Sequence, residues 1–400
     1  MKANTAPMTN ATTGASPAEL LIPDAMDAAL RTLRRNIAAF GAVYPDDTTV
    51  DDRYRPRTAR GGLPEGGNSG WTTGFWPGMF WLAWELSGDD TFLAAAQRHA
   101  VDFERRVRAD EDLDHHDLGF LYTLSCVSAW RLTGDEAARD AALTAADRLM
   151  RRFLEPAGIV QAWGDLSDPV QRGRTIIDSL MNMPLLTWAY EQTGDERYAD
   201  TVRRHSEQLR RHILRDDDST FHTFYWEAET GEPLRGGTEQ GAADDSCWAR
   251  GQAWGIYGFA LNHRAIGDPA LREASRRCAD YFLAHLPADN VSYWDLVFGD
   301  GSGAERDSSA AAIAVCGLDE LADQLDDRDA AARYREAADT ILASLIANYA
   351  PADGTSDALL LHGVYSLPSG SGVDEGTLWG DYFYLEALAR RAKPGWVRYW

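Results

Sequence analysis

Apolar and polar positions along this 400-residue chain alternate in long blocks. Five runs are apolar and aromatic almost throughout: GFWPGMFWLAWEL, LGFLYTLSCVSAWRL, SLMNMPLLTWAYEQ, ARGQAWGIYGFALNHRA and SSAAAIAVCGLDELADQ. After each comes a run with a single apolar stripe on an Ala-, Arg- and Asp-rich background, such as ARDAALTAADRLMRRFL or ERYADTVRRHSEQLRRHIL. A helix that is apolar all round is buried, and one with a single stripe lies against solvent. Between the two kinds stands a recurring tag: SGDD at 87–90, TGDE at 133–136 and 193–196, IGDP at 266–269, and a degenerate LDDRD at 325–329. The Gly ends one helix in the left-handed conformation and the Asp caps the next. The tag therefore predicts a tight turn between antiparallel helices.

The count of these blocks predicts the architecture. Inner-type helices fall near 74–87, 117–132, 178–192, 249–266, 308–325 and 378–391, and outer-type helices near 24–41, 89–108, 136–153, 196–213, 268–286 and 328–349. Six of each alternate, and the first outer helix is placed to fill the gap beside the last inner one. The pattern is that of an all-α (α/α)6 barrel forming one catalytic domain over 23–400, preceded by a polar, disordered segment over 1–22. An open solenoid would repeat more evenly. The joins from each outer helix to the next inner helix (42–73, 154–177, 214–248, 287–307, 350–377) are long and carry Gly, Trp, His and charge, whereas the tags at the opposite end are short. A site belongs on the long-loop face, where the inner helices begin.

Charge narrows the partners. With 39 basic and 62 acidic residues the net charge is −23, which excludes nucleic acid and disfavours anionic membranes. No apolar run is long enough to span a bilayer, and the first 20 residues lack the apolar stretch of a signal peptide. A cytoplasmic protein is expected, monomeric or weakly homo-oligomeric. Cys126, Cys247, Cys278 and Cys316 are far apart and suggest neither a zinc site nor a disulfide framework. The 14 Trp and 15 Tyr exceed what a solvated bundle needs and suit either core packing or the walls of a sugar cleft.

Several polar residues sit where inner helices begin: Asp117 in HHDLGF, Asp178 in RTIIDSLMNMPLL, Arg250 in SCWARGQAW, Asp307 in RDSSAAA and Asp381 in WGDYFYLEAL. Asp307 and Asp381 read as helix caps. Asp178, between two isoleucines and an apolar helix, is expected to be buried, and a buried carboxylate needs a partner or a proton. Asp117 is its candidate neighbour, and two close carboxylates push one pKa up, as a general acid requires. His115, His116 and Asp117 are consecutive and cannot all face one ion from a helix, so no metal is expected. His222 and Gln240 suit either loop structure or ligand binding. Arg250 at a buried position needs an anion for its guanidinium. Trp71, Trp163 and Trp254 are either core residues or a sugar-stacking rim. No P-loop, dinucleotide fingerprint, serine elbow or HExxH motif is present.

Taken in order, SGWTTGFWPG (69–78), HHDLGF, IIDSLMNMPLL, HTFYW, DDSCWARGQAWGIYG (244–258) and WGDYFYLEAL resemble glycoside hydrolase family 88, the unsaturated glucuronyl hydrolases, from about Trp71 to Leu388. The resemblance implies an (α/α)6 barrel that removes a 4,5-unsaturated uronic acid from the non-reducing end of oligosaccharides left by polysaccharide lyases, without metal or organic cofactor. It implies Asp178 as general acid/base with Asp117 as its companion. It implies His222, Gln240 and Arg250 as uronate ligands, and Trp71, Trp163 and Trp254 as aromatic lining. The loop 362–378 is left without assigned residues, as a candidate part of the subsite for the next sugar. The related family 105, acting on unsaturated rhamnogalacturonan, a conventional inverting glycosidase, a non-catalytic sugar-binding protein and an epimerase are the competing readings.

Overall fold

The computed structural model describes residues 17–400, and side chains from Leu21 onward. Helices alternate as the block pattern predicts: α1 (Pro17–Phe40), α2 (Phe75–Ser87), α3 (Asp90–Ala109), α4 (Leu118–Tyr122) continued through a π turn into α5 (Ser128–Thr133), α6 (Glu136–Met150), α7 (Met183–Thr193), α8 (Glu196–His212), α9 (Ala249–Ile266), α10 (Pro269–Ala284), α11 (Ser308–Ala322), α12 (Arg328–Ser344) and α13 (Leu378–Ala392). In the inner ring α2, α4–α5, α7, α9, α11 and α13 pack in sequence, and α13 returns to α2, closing an (α/α)6 barrel. α1 packs on α13, α12 and α3, filling the outer gap as expected. It begins at Pro17, so 17–22, expected to be disordered, are helical; residues 1–16 lie outside the described residues.

The turns follow the predicted chemistry. Gly88, Gly134, Gly194 and Gly267 end inner helices in the left-handed conformation. At Gly134 (φ 74°) nothing crowds the missing Cβ, so backbone conformation alone calls for glycine. Asp89, Asp135, Asp195, Asp268 and Asp327 each accept a hydrogen bond from the backbone N–H two residues on, a cap worth about 1 kcal/mol.

The other face carries what helical periodicity could not foresee. Seven short strands lie in the long joins: β1 (Phe153–Leu154), β2 (Ile159–Val160), β3 (Arg174–Ile176), β4 (Thr223–Trp226), β5 (Pro233–Gly237), β6 (Gly363–Ser366) and β7 (Ser371–Glu375). They pair as β1–β2, β3–β4–β5 and β6–β7, all antiparallel. Aromatic rings fill the barrel axis: Phe75, Phe120, Trp254 and Phe383 pack edge-on or tilted, and Trp400 stacks on Phe383 at 5.8 Å.

Candidate active site

Hydrogen bonds stitch the loops of the open face into one frame. His116 N–H bonds Ala162 O, Ala162 N–H bonds Arg174 O, and β3 pairs with β4 so that Ile177 N–H reaches His222 O. These contacts bring residues 116, 163, 178 and 222 to one place. Beneath them Arg152, 1% exposed, donates to Gln161 O, Gly164 O and both the carbonyl and the carboxylate of Asp114, tying the HHD loop to the loop of Trp163. His205 on α8 accepts from Val160 N–H through Nδ1, which leaves its proton on Nε2, 2.8 Å from Ser179 Oγ beside Asp178.

Asp117 and Asp178 meet because two inner elements touch backbone to backbone. Gly119 opens α4, and a Cβ there would stand 2.2 Å from Asn182 Cα. Asn182 Oδ1 accepts from Phe120 N–H across the same contact. Asp178 sits in a 3-10 turn (Ile177–Met181) ahead of α7, and Asp117 in the loop before α4. That loop is not helical, so neighbouring side chains can converge: His116 Nε2 lies 3.2 Å from Asp117 and 3.6 Å from Asp178, and His115 Nδ1 lies 3.2 Å from Asp117. The expectation that His115, His116 and Asp117 cannot all face one point assumed a helix; in the loop, two of the three, His116 and Asp117, converge with Asp178.

The electrostatics separate the two acids. Among the described residues, Asp178 Oδ1 is buried without a hydrogen-bond partner. Burial, opposed by the charge of His116 and reinforced by that of Asp117, raises its pKa to about 7. Burial also works against Asp117, but the charge of His116 and the close approach of both histidine rings outweigh it and hold Asp117 well below the usual range. The pair is thus one protonated and one ionised carboxyl near neutral pH. A ring nitrogen of His116 and one oxygen from each carboxylate lie within 4.8 Å of one another. His116 stands 3.2 Å from Asp117 as an ion-pair partner, and the cluster fits proton chemistry.

Around this pair is a cavity of about 420 Å³, lined also by Trp71, Trp163, Ile176, His222, Glu239, Gln240, Tyr365 and three serines of the β6–β7 hairpin, Ser366, Ser369 and Ser371. Its size suits a small ligand. His222 Nδ1 accepts from Glu239 N–H, so its proton is on Nε2, which has no partner among the described residues. Burial and the charge of Arg250 bring its pKa down to about 3, so the ring is neutral. Gln240 donates to Tyr365 O. Trp71 donates to Tyr365 Oη and stacks on Trp379 at 5.2 Å. Trp163 carries the Arg174 guanidinium on its face at 5.5 Å.

Two expected lining residues lie elsewhere. Trp254, 1% exposed, packs against Phe120 and Phe383 in the barrel core, because it is a full turn inside α9. Arg250 stands behind the cavity wall: its guanidinium donates to Asp307 (2.6 Å), Val364 O and Tyr365 O between the rings of Trp248 and Trp379. The anion it needs is Asp307, which also caps α11. Asp381 is not a cap; Thr377 is, and Asp381 accepts from Leu359 N–H, Leu360 N–H and Tyr54 Oη. His116 was missed as a member of the site, although its place beside Asp117 was visible.

An (α/α)6 barrel with two close carboxylates in an aromatic-walled cavity at its open face fits a glycosidase. The chain matches Glycosyl Hydrolase Family 88 over residues 49–372 and belongs to that family. It is 49% identical over 381 residues to the unsaturated chondroitin disaccharide hydrolase of Streptococcus pyogenes serotype M1, covering 95% of this chain and 93% of that one. It superposes on the crystal structure of the unsaturated glucuronyl hydrolase of Bacillus sp. GL1, responsible for the degradation of glycosaminoglycan, with TM-score 0.88 at 45% identity, covering 92% of this chain and 96% of that one. A variant of the unsaturated glucuronyl hydrolase of Streptococcus agalactiae complexed with dGlcA-GalNAc6S gives TM-score 0.83 at 43% identity, covering 97% and 95%.

Proposed function

We propose that this protein hydrolyses a terminal 4,5-unsaturated uronic acid from oligosaccharide ends by adding water across the enol ether, with Asp178 as the general acid and base. The carrying observation is the buried, unpartnered, proton-retaining Asp178 beside an ionised Asp117 in the cavity. Asp178 gives its proton to C4, and the alkene electrons form the new C4–H bond, leaving oxocarbenium character at C5 and the ring oxygen. The ionised Asp178 then takes a proton from a water whose oxygen bonds C5. The hemiketal opens to a C5 ketone, and the hemiacetal left at C1 collapses and frees the next sugar. Atoms and charge balance without a cofactor.

The other residues bind and orient. His222 offers a neutral N–H from Nε2, a donor that does not titrate across the working range. Trp71 and Trp163 provide apolar faces, and the amide oxygen of Gln240 remains for a sugar hydroxyl once its Nε2 has donated to Tyr365 O. Arg250 acts from behind the wall, paired with Asp307 and seating Tyr365 through its carbonyl. The β6–β7 hairpin, the loop that the motif comparison left unassigned, offers serine hydroxyls to the next sugar.

A conventional inverting glycosidase needs room for water between carboxyl groups about 6.5–9.5 Å apart, and oxygens of Asp117 and Asp178 lie within 4.8 Å. The deciding experiment offers matched saturated and unsaturated uronyl disaccharides. Turnover of the unsaturated sugar alone, with heavy oxygen from water appearing on C5 of the released uronic acid, is expected. Cleavage of the saturated sugar, or label arriving first at the anomeric carbon, would overturn the reading.

A further inference from the structure

The reaction leaves one moment without an evident partner. Once Asp178 has released its proton, two carboxylates are ionised within 4.8 Å in a buried site, an arrangement that low-dielectric surroundings penalise heavily. The group between them is His116. Its backbone N–H is anchored to Ala162 O at 3.0 Å and its ring is almost wholly buried. Nε2 lies 3.2 Å from Asp117 and 3.6 Å from Asp178, a difference that a small ring movement would reverse. His205 has both ring nitrogens engaged, by Val160 N–H and by Ser179 Oγ. The His116 ring has no such pair: among the described residues its Nδ1 is without a partner, and its Nε2 makes only the two carboxylate contacts.

We propose that His116 is a further catalytic residue, a cationic ring that bonds Asp117 at rest and closes on Asp178 when that carboxyl gives up its proton. The inference rests on Asp178 being the proton donor. No proton leaves the ring: the proton on C4 comes from Asp178, and the proton regained by Asp178 comes from water. His116 supplies charge and one movable N–H at the point where negative charge develops.

The ring's surroundings agree. Facing it are Asp117 and His115 from its own loop, Asp178 from the turn after β3, Arg152 at the end of α6 and His205 on α8. Burial and Arg152 oppose its charge, but the two carboxylates outweigh them and raise its pKa. Further along the cavity wall stand His222 and Glu239, with Arg250 behind.

The test measures kcat and KM against pH on an unsaturated uronyl disaccharide for the wild type, His116→Gln and Asp117→Asn. An adjacent cation lowers the pKa of Asp178, so its removal in His116→Gln moves the alkaline limb up by about one pH unit or more. It also lowers kcat about 100-fold or more, with KM changed far less. Asp117→Asn removes an anion and moves the limb down. A merely structural histidine would lower activity without moving the limb, so an unshifted limb, or kcat kept within a few-fold, overturns the proposal. If His116→Gln turns over too slowly, the protonated-carboxyl infrared band of Asp178, identified by its loss in Asp178→Asn, is titrated instead. The same upward shift is expected, and its absence refutes the role. A wild type that leaves the unsaturated sugar intact refutes the functional reading, while the infrared titration still decides the influence of His116.

Discussion

Asp178→Asn separates catalysis from stability in opposite directions. The folded protein keeps a proton on Asp178 up to about pH 7, whereas the unfolded chain releases it near the ordinary value of 3.8. A carboxyl with a raised folded pKa favours the folded state fully below the unfolded value, and that contribution is lost as pH climbs through the folded value. At pH 8 the wild type therefore carries a destabilisation of up to about 4 kcal/mol, at roughly 1.4 kcal/mol per pH unit of displacement. Asparagine resembles the protonated acid and never ionises. The variant is expected to lose at least about 100-fold in kcat, the contribution of a positioned acid and base. It is also expected to melt roughly 2–5 °C above the wild type at pH 8, given the unfolding entropy of a chain this long. The advantage should vanish near pH 4, where both Asp178 states are protonated. Turnover is followed by loss of the conjugated alkene's ultraviolet absorbance, and stability by calorimetry at both pH values. Near-normal kcat, or a variant less stable than wild type at pH 8, would refute the reasoning.

Three further outcomes are expected. Gly119→Ala places a Cβ 2.2 Å from Asn182 Cα, so it should lower stability by about 1–3 kcal/mol through overpacking and spoil turnover by parting Asp117 from Asp178; an unchanged melting temperature would contradict the packing. Trp163→Ala should raise KM for disaccharides with little change in stability, whereas Trp254→Ala, in the core, should cost about 3–5 kcal/mol in denaturant unfolding; a reversed pattern would restore Trp254 to the sugar site. Exhaustive chelation should leave kcat unchanged, because His116, Asp117 and Asp178 are read as a proton-handling group; loss of activity restored by a divalent cation would make them ligands.

The barrel was legible in the sequence because its signals are local. A Gly followed by Asp specifies a turn and a cap whatever surrounds them, and a helix apolar on all sides announces its own burial. Twelve helix positions and the open face follow from such signals, and so does the suspicion that Asp178 is buried near Asp117. The motifs added the family, which the comparisons bear out. What the sequence could not determine are the relations set by contacts between distant loops. Strands of two to five residues have no periodicity to read, yet β3 and β4 carry Asp178 and His222 to one cavity. Arg250 and Trp254 stand four residues apart on α9, and only the packing of α11, α13 and the β6–β7 hairpin decides that one meets Asp307 and the other the core. The separation of two chemically identical carboxyls into an acid and an anion is likewise tertiary. It depends on which of them His116 approaches more closely and which keeps a buried oxygen without a partner.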